Sequence, residues 1–541
     1  MIEKLLENWL DSASERSYQA VFVQMLAADG YRVLHSTRHC LLEFGKDIVA
    51  IAPDGVGCAF QLKGDPRGRM TVGQFRRDIQ PQLVQLMAQA PAYPGLPKAP
   101  HRAYLVSNGQ FDEEVQVAVR EMNDMPYPSK VELWSRGHLL AMCKKYGALL
   151  WPSELADNRA LLELYLSDPK DQLPTETLNS VLLSVLHLEG TASDLTEIQF
   201  KRAATSCAWL TGLSTSTFAE AENHQAVAHA WILCYFTLLA AMGRHSIGNL
   251  QTVDGTLELV EQALLDSLAS LWIEVRNRKY LTEGNVMCDP DVYGWRIGVL
   301  YGLLTALTLA DSAKQILDDA SREDLKSWLK SSGHRPALWG EAAVANVFPW
   351  LVWLRKNDAT TRPDSEIQSA TRAVIRSNQP RSAIALATPH YNFESVLRHQ
   401  MASSGMPNTS NTEQETFAGS SFTAELLLHL LVRTNLKGMC QSLWPEFSRL
   451  GNRRFRMDET WHYCLLKAPG GVDETKIYPA KYQWSSLRHE ATVLAECAVV
   501  LPSICASKPW LLTLWWQVAP HRLDSDAAKL FVECELPGWG T

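Results

Sequence analysis

The apolar positions of the first 150 residues change period several times. From Glu3 to about Asp29 they recur at helical spacing, with Tyr18, Phe22, Met25 and Leu26 on one side. Asp29-Gly30 stops that helix, and residues 31–35 read as a strand. Residues 36–44 form a polar loop that contains Arg38 and His39. Two short apolar runs follow, 47–51 and 56–63, on either side of Pro53-Asp54-Gly55, which is a hairpin signal. Past a flexible loop, 64–69, a helix is predicted over 71–90 with Thr71 as its N-cap. Pro81 should kink or break it. A proline-rich loop spans 91–100. Then come a buried strand (101–107), the turn Asn108-Gly109, a helix (112–125), a strand (130–135) and a closing helix (137–149). The order α-β-β-β-α-β-α-β-α implies a mixed sheet covered by helices on both faces.

From Trp151 onward strand signals fade. Helical periods cover about 158–166, 178–188, 197–210, 225–243, 256–276, 291–309, 322–330, 337–356, 365–377, 420–434 and 485–500. All but two of the 18 tryptophans, Trp9 and Trp134, lie in this part, as helix–helix contacts would use them. No fixed repeat emerges, so an irregular helical array is expected. Residues 401–419 are rich in Ser, Thr, Asn and Gly and read as a mobile loop or linker. The expected organisation is therefore a first domain over 1–150, a helical region over 151–400, a linker over 401–420 and a mostly helical end over 421–541. Around Pro469-Gly470-Gly471, residues 456–481 read as irregular or strand-like.

Charge sharpens this division. The net charge is −8 over 541 residues. The first 150 residues carry 17 Lys+Arg against 16 Asp+Glu, so the acidic excess lies wholly beyond them. An acidic body repels nucleic acid unless a local basic patch overrides it. The 11 cysteines show no C-x-x-C, which in a long chain suggests reduced thiols rather than disulfides or a zinc site. The acidic, amphipathic N-terminus does not read as a signal peptide. The longest apolar run, 230–242, is short for a bilayer. A soluble, cytoplasmic protein with no membrane partner is expected. There is no G-x-x-x-x-G-K-[ST], H-E-x-x-H, EF-hand loop or G-x-S-x-G, and His489-Glu490 reads as an exposed helix pair. The chemistry that can be located is in the first domain.

It sits on the hairpin. A three-residue loop Pro53-Asp54-Gly55 places Asp47 opposite Gln61, and period-two alternation then turns Asp47, Gln61 and Lys63 the same way. A two-residue Asp-Gly turn would put Asp47 on the other face. We expect the three-residue loop, because it alone gathers the hairpin's polar groups. A carboxylate, an amide and an ammonium in one place suit metal-assisted phosphodiester hydrolysis. Asp47 would anchor Mg²⁺, the Leu62 backbone carbonyl would add an oxygen, and Lys63 would steer water or stabilise phosphate charge. The plain alternative is a half-buried strand that ends in Gln and Lys. Arg67, Arg69, Arg76 and Arg77 follow within fifteen residues of Lys63 and could contact phosphates, or could simply be a solvated face. His39 and His101 are candidate proton carriers or structural histidines.

Gly45-Lys46-Asp47, some thirteen residues, then Gln61-Leu62-Lys63 resembles the PD-(D/E)XK nuclease signature. It is similar to the Mrr-like branch of the restriction-endonuclease-like superfamily, in which Gln replaces the second acid. The likeness extends to about residue 150. It implies an α/β restriction-endonuclease-like domain, and with the helical periods beyond residue 150 the expected fold is a multidomain protein in which a large all-α region follows. It also implies an extra ligand on the first helix. Aligning that helix by its ending at Leu26–Gly30 puts Gln19 in that place, with Glu15 one turn earlier on the same face. The cofactor implied is Mg²⁺ or Mn²⁺ and the substrate DNA, with Asp47, Gln61, Lys63, Gln19 and Glu15 as the catalytic set. Resembled proteins include bacterial restriction and anti-phage defence nucleases, which often work with a separate ATPase or sensor encoded nearby. Gln61 removes one anionic ligand, which leaves a non-catalytic DNA-binding scaffold as the alternative. An RNA substrate and a homo-oligomer also stay open.

Overall fold

The structure is a computed structural model that describes residues 2–13, 15–36, 47–65, 68–90, 100–150, 155–188, 194–247, 254–277, 290–310, 316–331, 336–358, 360–382, 385–397, 418–456, 472–493, 507–523 and 525–540. The chain divides into two compact units, Met1–Leu264 and Leu265–Thr541.

The first unit is built on a five-stranded mixed sheet. Its strands are β1 (Arg32–Ser36), β2 (Ile48–Ile51), β3 (Gly57–Lys63), β5 (Arg102–Ser107) and β7 (Val131–Trp134), in the order β1-β2-β3-β5-β7. β1, β2 and β3 pair antiparallel, while β3, β5 and β7 run parallel. A short parallel pair, β4 (Arg69–Met70) with β6 (Gln110–Phe111), stands beside the main sheet. Strand alternation sorts the core into two layers. Ile48, Ala50, Cys58, Phe60 and Leu62 pack toward helices α1 (Ile2–Ser12), α2 (Glu15–Ala28) and α6 (Arg136–Leu150). Ala59, Ala103 and Leu105 pack toward the helical stretch Val72–Ala88 and α5 (Glu113–Asp124). The expected sheet with helices on both faces is present.

Two helices depart from expectation. The apolar period runs unbroken across 3–29, yet the chain breaks between α1 and α2. Buried Asn108 explains the break, because its Nδ2 donates to the carbonyls of Leu10 and Ala13, both at 2.8 Å. Those α1 end carbonyls are thus satisfied from outside the helix. The stretch after Thr71 is α3 (Val72–Gln74), a π turn (Phe75–Ile79) and α4 (Gln80–Ala88). The Gln80 N–H reaches back to the Phe75 carbonyl. The wide turn lies directly before Pro81, which has no N–H to donate and whose ring needs room.

The packing of the first unit does not end near residue 150. Leu161 of α7 (Leu155–Leu166), Val181 of α8 (Thr175–Val185) and Trp209, Leu210 and Leu213 of α9 (Glu197–Ser214) share the core of α1 and α2. Trp9 meets Trp209 edge to face at 6.3 Å. Helix α11 (His224–Arg244) follows the short α10 (Ser216–Glu220). At 21 residues α11 is long and apolar enough to cross a bilayer, and so is Val292–Leu309. The sequence run 230–242 understated this length. Both segments are mostly buried inside the protein, 89% and 67% of their apolar windows.

The second unit is helix-rich but not all α. Among its described helices are α13 (Pro290–Leu309), α14 (Asp319–Lys330), α15 (Ala342–Asn357) and α16 (Arg362–Ser377). A three-stranded sheet corrects the all-α expectation. It comprises β8 (Ser420–Ser421), β9 (Gly451–Arg456) and β10 (Val472–Ile477), in the order β10-β9-β8. Residues 398–417, which hold most of the expected linker, lie outside the described residues. Glu490 is also corrected. His489 is exposed, but Glu490 is half-buried and hydrogen-bonded to Tyr478, Tyr482 and Lys476.

Candidate active site

The hairpin closes with a three-residue loop. The Gly55 N–H donates to the Ala52 carbonyl and the Ala52 N–H to the Val56 carbonyl, both at 2.9 Å. Gly55 sits at φ +84°, a region that costs an L-residue about 1 kcal/mol. The register that follows, Ile48↔Phe60 through Ile51↔Gly57, carries Asp47 to Gln61. Asp47 Oδ2 accepts from Gln61 Nε2 at 2.7 Å and from the Leu62 N–H at 2.6 Å. Asp47 and Gln61 are both buried, 5% and 3% exposed. In an extended strand the N–H and C=O of one residue point to the same side. The Leu62 carbonyl therefore faces Asp47, and Gln61 Nε2 lies 3.5 Å from it. Carboxylate, amide and backbone carbonyl thus converge at one point.

Lys63 ends β3 one alternation past Gln61. Its Nζ has no hydrogen-bonding or ionic partner among the described residues. Tyr18 Oη donates to the Lys63 carbonyl at 3.0 Å, with the Val106 carbonyl at 3.4 Å, and so pins the strand end to α2. Burial pushes the Tyr18 phenol well up, and the nearby Glu15 and Asp47 charges add to it. Glu15 reaches the same strand end, with Oε2 accepting the Gly64 N–H at 3.0 Å. Gln19 is buried one turn further along α2, 3% exposed. A Cβ on Gly64 would stand 2.9 Å from the Glu15 backbone nitrogen. Gly64→Ala is expected to destabilise the first unit by about 1–3 kcal/mol through this overlap, read by chemical denaturation.

The structure also brings in residues that the sequence reading passed over. Asn108 fixes α1 through Nδ2, and its Oδ1 accepts the Asp65 N–H at 2.9 Å. Burial raises the Asp65 carboxyl. Asn108-Gly109 had been legible only as a turn. These groups line the carboxyl ends of β3 and β5, where Lys63 pairs with Ser107.

The basic residues are less concentrated than expected. Arg69 pairs with Asp112 at 3.2 Å, and Arg77 holds Asp78 through two 2.9 Å hydrogen bonds. Arg76 is exposed. Arg67, Arg38 and His39 lie outside the described residues. Of its two readings His101 takes the structural one. It is buried, with Nε2 2.8 Å from the Leu86 carbonyl and Nδ1 3.0 Å from Ser129 Oγ. It precedes β5, about 20 Å of strand away from the end that carries Ser107.

The donor set fits a hard divalent cation. Gln61 turns Nε2 toward Asp47, which leaves Gln61 Oε1 buried with no hydrogen-bonding partner among the described residues. A buried amide oxygen without a donor is costly unless something electropositive meets it. With the Gln61 amide turned over, Oε1 would join Asp47 and the Leu62 carbonyl in an all-oxygen set of the kind Mg²⁺ takes. Compared with known proteins, the chain matches no family model, no curated protein and no solved structure.

Proposed function

We propose that the first unit is a metal-dependent nuclease of PD-(D/E)XK type that cleaves DNA phosphodiester bonds. The observation that carries this reading is the meeting of Asp47, Gln61 and the Leu62 carbonyl at the end of the strand that carries Lys63, whose Nζ has no partner among the described residues. The place supports it as well, since open α/β sheets bind ligands at the carboxyl ends of parallel strands. Asp47, Gln61 Oε1 and the Leu62 carbonyl would hold Mg²⁺ or Mn²⁺, with Glu15 or Gln19 contributing from α2. The ion would supply Lewis-acid polarisation of the phosphate and acidify its water. Lys63 would orient that water and offset the charge that builds on the phosphate oxygens. Arg76, and Arg69 and Arg77 once their exposed ion pairs exchange for phosphate, would position the backbone. The helix-rich remainder would sense a trigger or assemble with a partner such as a separate ATPase, as the effector of a prokaryotic defence or restriction system.

One observation favours a second reading, a DNA-binding scaffold without catalysis. Asp47 Oδ2 already takes two hydrogen bonds from its own hairpin, so the carboxylate has a structural task without any metal. Thermal unfolding separates the two. A catalytic site predicts that Mg²⁺ or Mn²⁺ at 100 times its Kd stabilises the first unit by about 2.7 kcal/mol, and that Asp47→Asn removes the shift. A scaffold predicts no metal-dependent shift in either protein.

A further inference from the structure

The second unit buries a histidine, His429, on one of its helices. His429 is 3% exposed, and neither Nδ1 nor Nε2 has a hydrogen-bonding partner among the described residues. It lies on the helix Ala424–Arg433. Glu425 is one turn earlier on the same helix face. Glu490 comes in from the helix Trp484–Thr492. One ligand atom from each of the three residues lies within 4.8 Å of the others. An unpaired buried imidazole costs free energy that a ligand would recover.

The surrounding hydrogen bonds leave room for one. Arg454 Nε donates to Glu425 Oε2 at 2.6 Å, and the other Arg454 nitrogen, Nη2, donates to Oε1. Tyr478 Oη bridges Glu425 Oε1 at 2.6 Å and Glu490 Oε2 at 2.8 Å. Lys476 Nζ meets Glu490 Oε2 at 2.9 Å, and Tyr482 Oη meets Glu490 Oε1 at 2.5 Å. A carboxylate oxygen has two lone pairs. Glu425 Oε2 and Glu490 Oε1 each accept a single bond among the described residues, so each keeps one lone pair. The other partners would orient the carboxylates, as outer contacts do around metal ligands.

We propose that Glu425, His429 and Glu490 form a binding site for a divalent transition metal of the zinc class. One imidazole and two carboxylates suit Zn²⁺, which takes nitrogen and oxygen ligands at about 2.1 Å. Three such ligands on a tetrahedral ion stand roughly 3.4 Å apart, so side-chain rotation must draw the cluster in. Charge is the opposing factor. Arg454 and Lys476 already balance the two carboxylates, and Lys476 is the one that can leave, with a side chain 33% exposed. The site would tie the helix Ala424–Arg433 to the helix Trp484–Thr492. It is independent of the nuclease reading.

The test is Co²⁺ titration of the chelator-stripped full chain, followed by visible absorption and equilibrium dialysis. The expected result is one equivalent of Co²⁺ with ligand-field bands, displaced by Zn²⁺ and retained in Asp47→Asn. His429→Ala and the half-buried Glu490→Gln should both lose it, and Lys476→Met should tighten it about tenfold or more. Identical Co²⁺ spectra in wild type, His429→Ala and Glu490→Gln would overturn the site. So would the absence of any bound equivalent in Asp47→Asn and Lys476→Met.

Discussion

Lys63→Met is expected to lower DNA cleavage by about 10²–10³-fold, the usual cost of removing one group that stabilises transition-state charge. The fold should survive, because Lys63 Nζ has no partner among the described residues and only its backbone carbonyl is used, by Tyr18. Asp47 is a different case. Its carboxylate accepts the Leu62 N–H and the Gln61 amide, so Asp47→Ala would strand two buried donors and cost about 1–3 kcal/mol of stability. Loss of cleavage in that variant would mix two causes. Asp47→Asn keeps an acceptor for Leu62 and removes the anion that a metal needs. Side-by-side kinetics and denaturation of Lys63→Met and Asp47→Asn therefore separate chemistry from folding. Full cleavage by both variants would remove the assignment.

The second large effect is expected at Glu341, in the second unit. Glu341 is 2% exposed. It accepts the Phe422 N–H at 2.7 Å, the Thr423 N–H at 3.0 Å, the Thr423 hydroxyl at 3.1 Å and Asn378 Nδ2 at 2.9 Å. It thus joins the start of α15 to β8 and the helix Ala424–Arg433. Glu341→Ala leaves these donors buried and should destabilise the second unit by about 2–4 kcal/mol. Burial pushes the Glu341 carboxyl up to about 7, against the pull of those hydrogen bonds. A raised folded pKa means that the folded state keeps a proton the unfolded chain releases. The contribution of Glu341 is therefore full below the unfolded pKa and shrinks as pH rises from about 4.5 through 7, by on the order of 3 kcal/mol. Denaturation of wild type and Glu341→Gln across pH 5 to 8 isolates this group. The wild-type advantage should decline over that interval, and a flat difference would contradict it.

The parts of the fold that were legible in the sequence are local. Pro53-Asp54-Gly55 dictates a loop length, the loop length dictates a register, and the register carries Asp47 to Gln61. Each step lies within seventeen residues. What was not legible depends on distant partners. The break after α1 comes from Asn108, 98 residues from Leu10. The shared core of α1, α2 and α9 rests on Trp209, which helical period alone could not assign to either side of residue 150. Glu341 meets Phe422 across 81 residues. Strand β9 carries arginine at half of its positions, Arg453, Arg454 and Arg456, so no apolar alternation marks it, whereas β10 falls within 456–481, which read as irregular or strand-like. Sequence shows the cations after Lys63 but not the partners of two of them, Asp112 for Arg69 and Asp78 for Arg77.

The most direct measurement is nicking of supercoiled plasmid by the purified full chain in Mg²⁺, Mn²⁺ or EDTA, beside Lys63→Met, with the products of neighbouring genes added in parallel. The proposed function predicts metal-dependent nicking, in the chain alone or with a neighbour present, that EDTA abolishes and Lys63→Met lowers by about a hundredfold or more. Nicking at the wild-type rate in Lys63→Met, nicking in EDTA, or no nicking under every one of these conditions would contradict it.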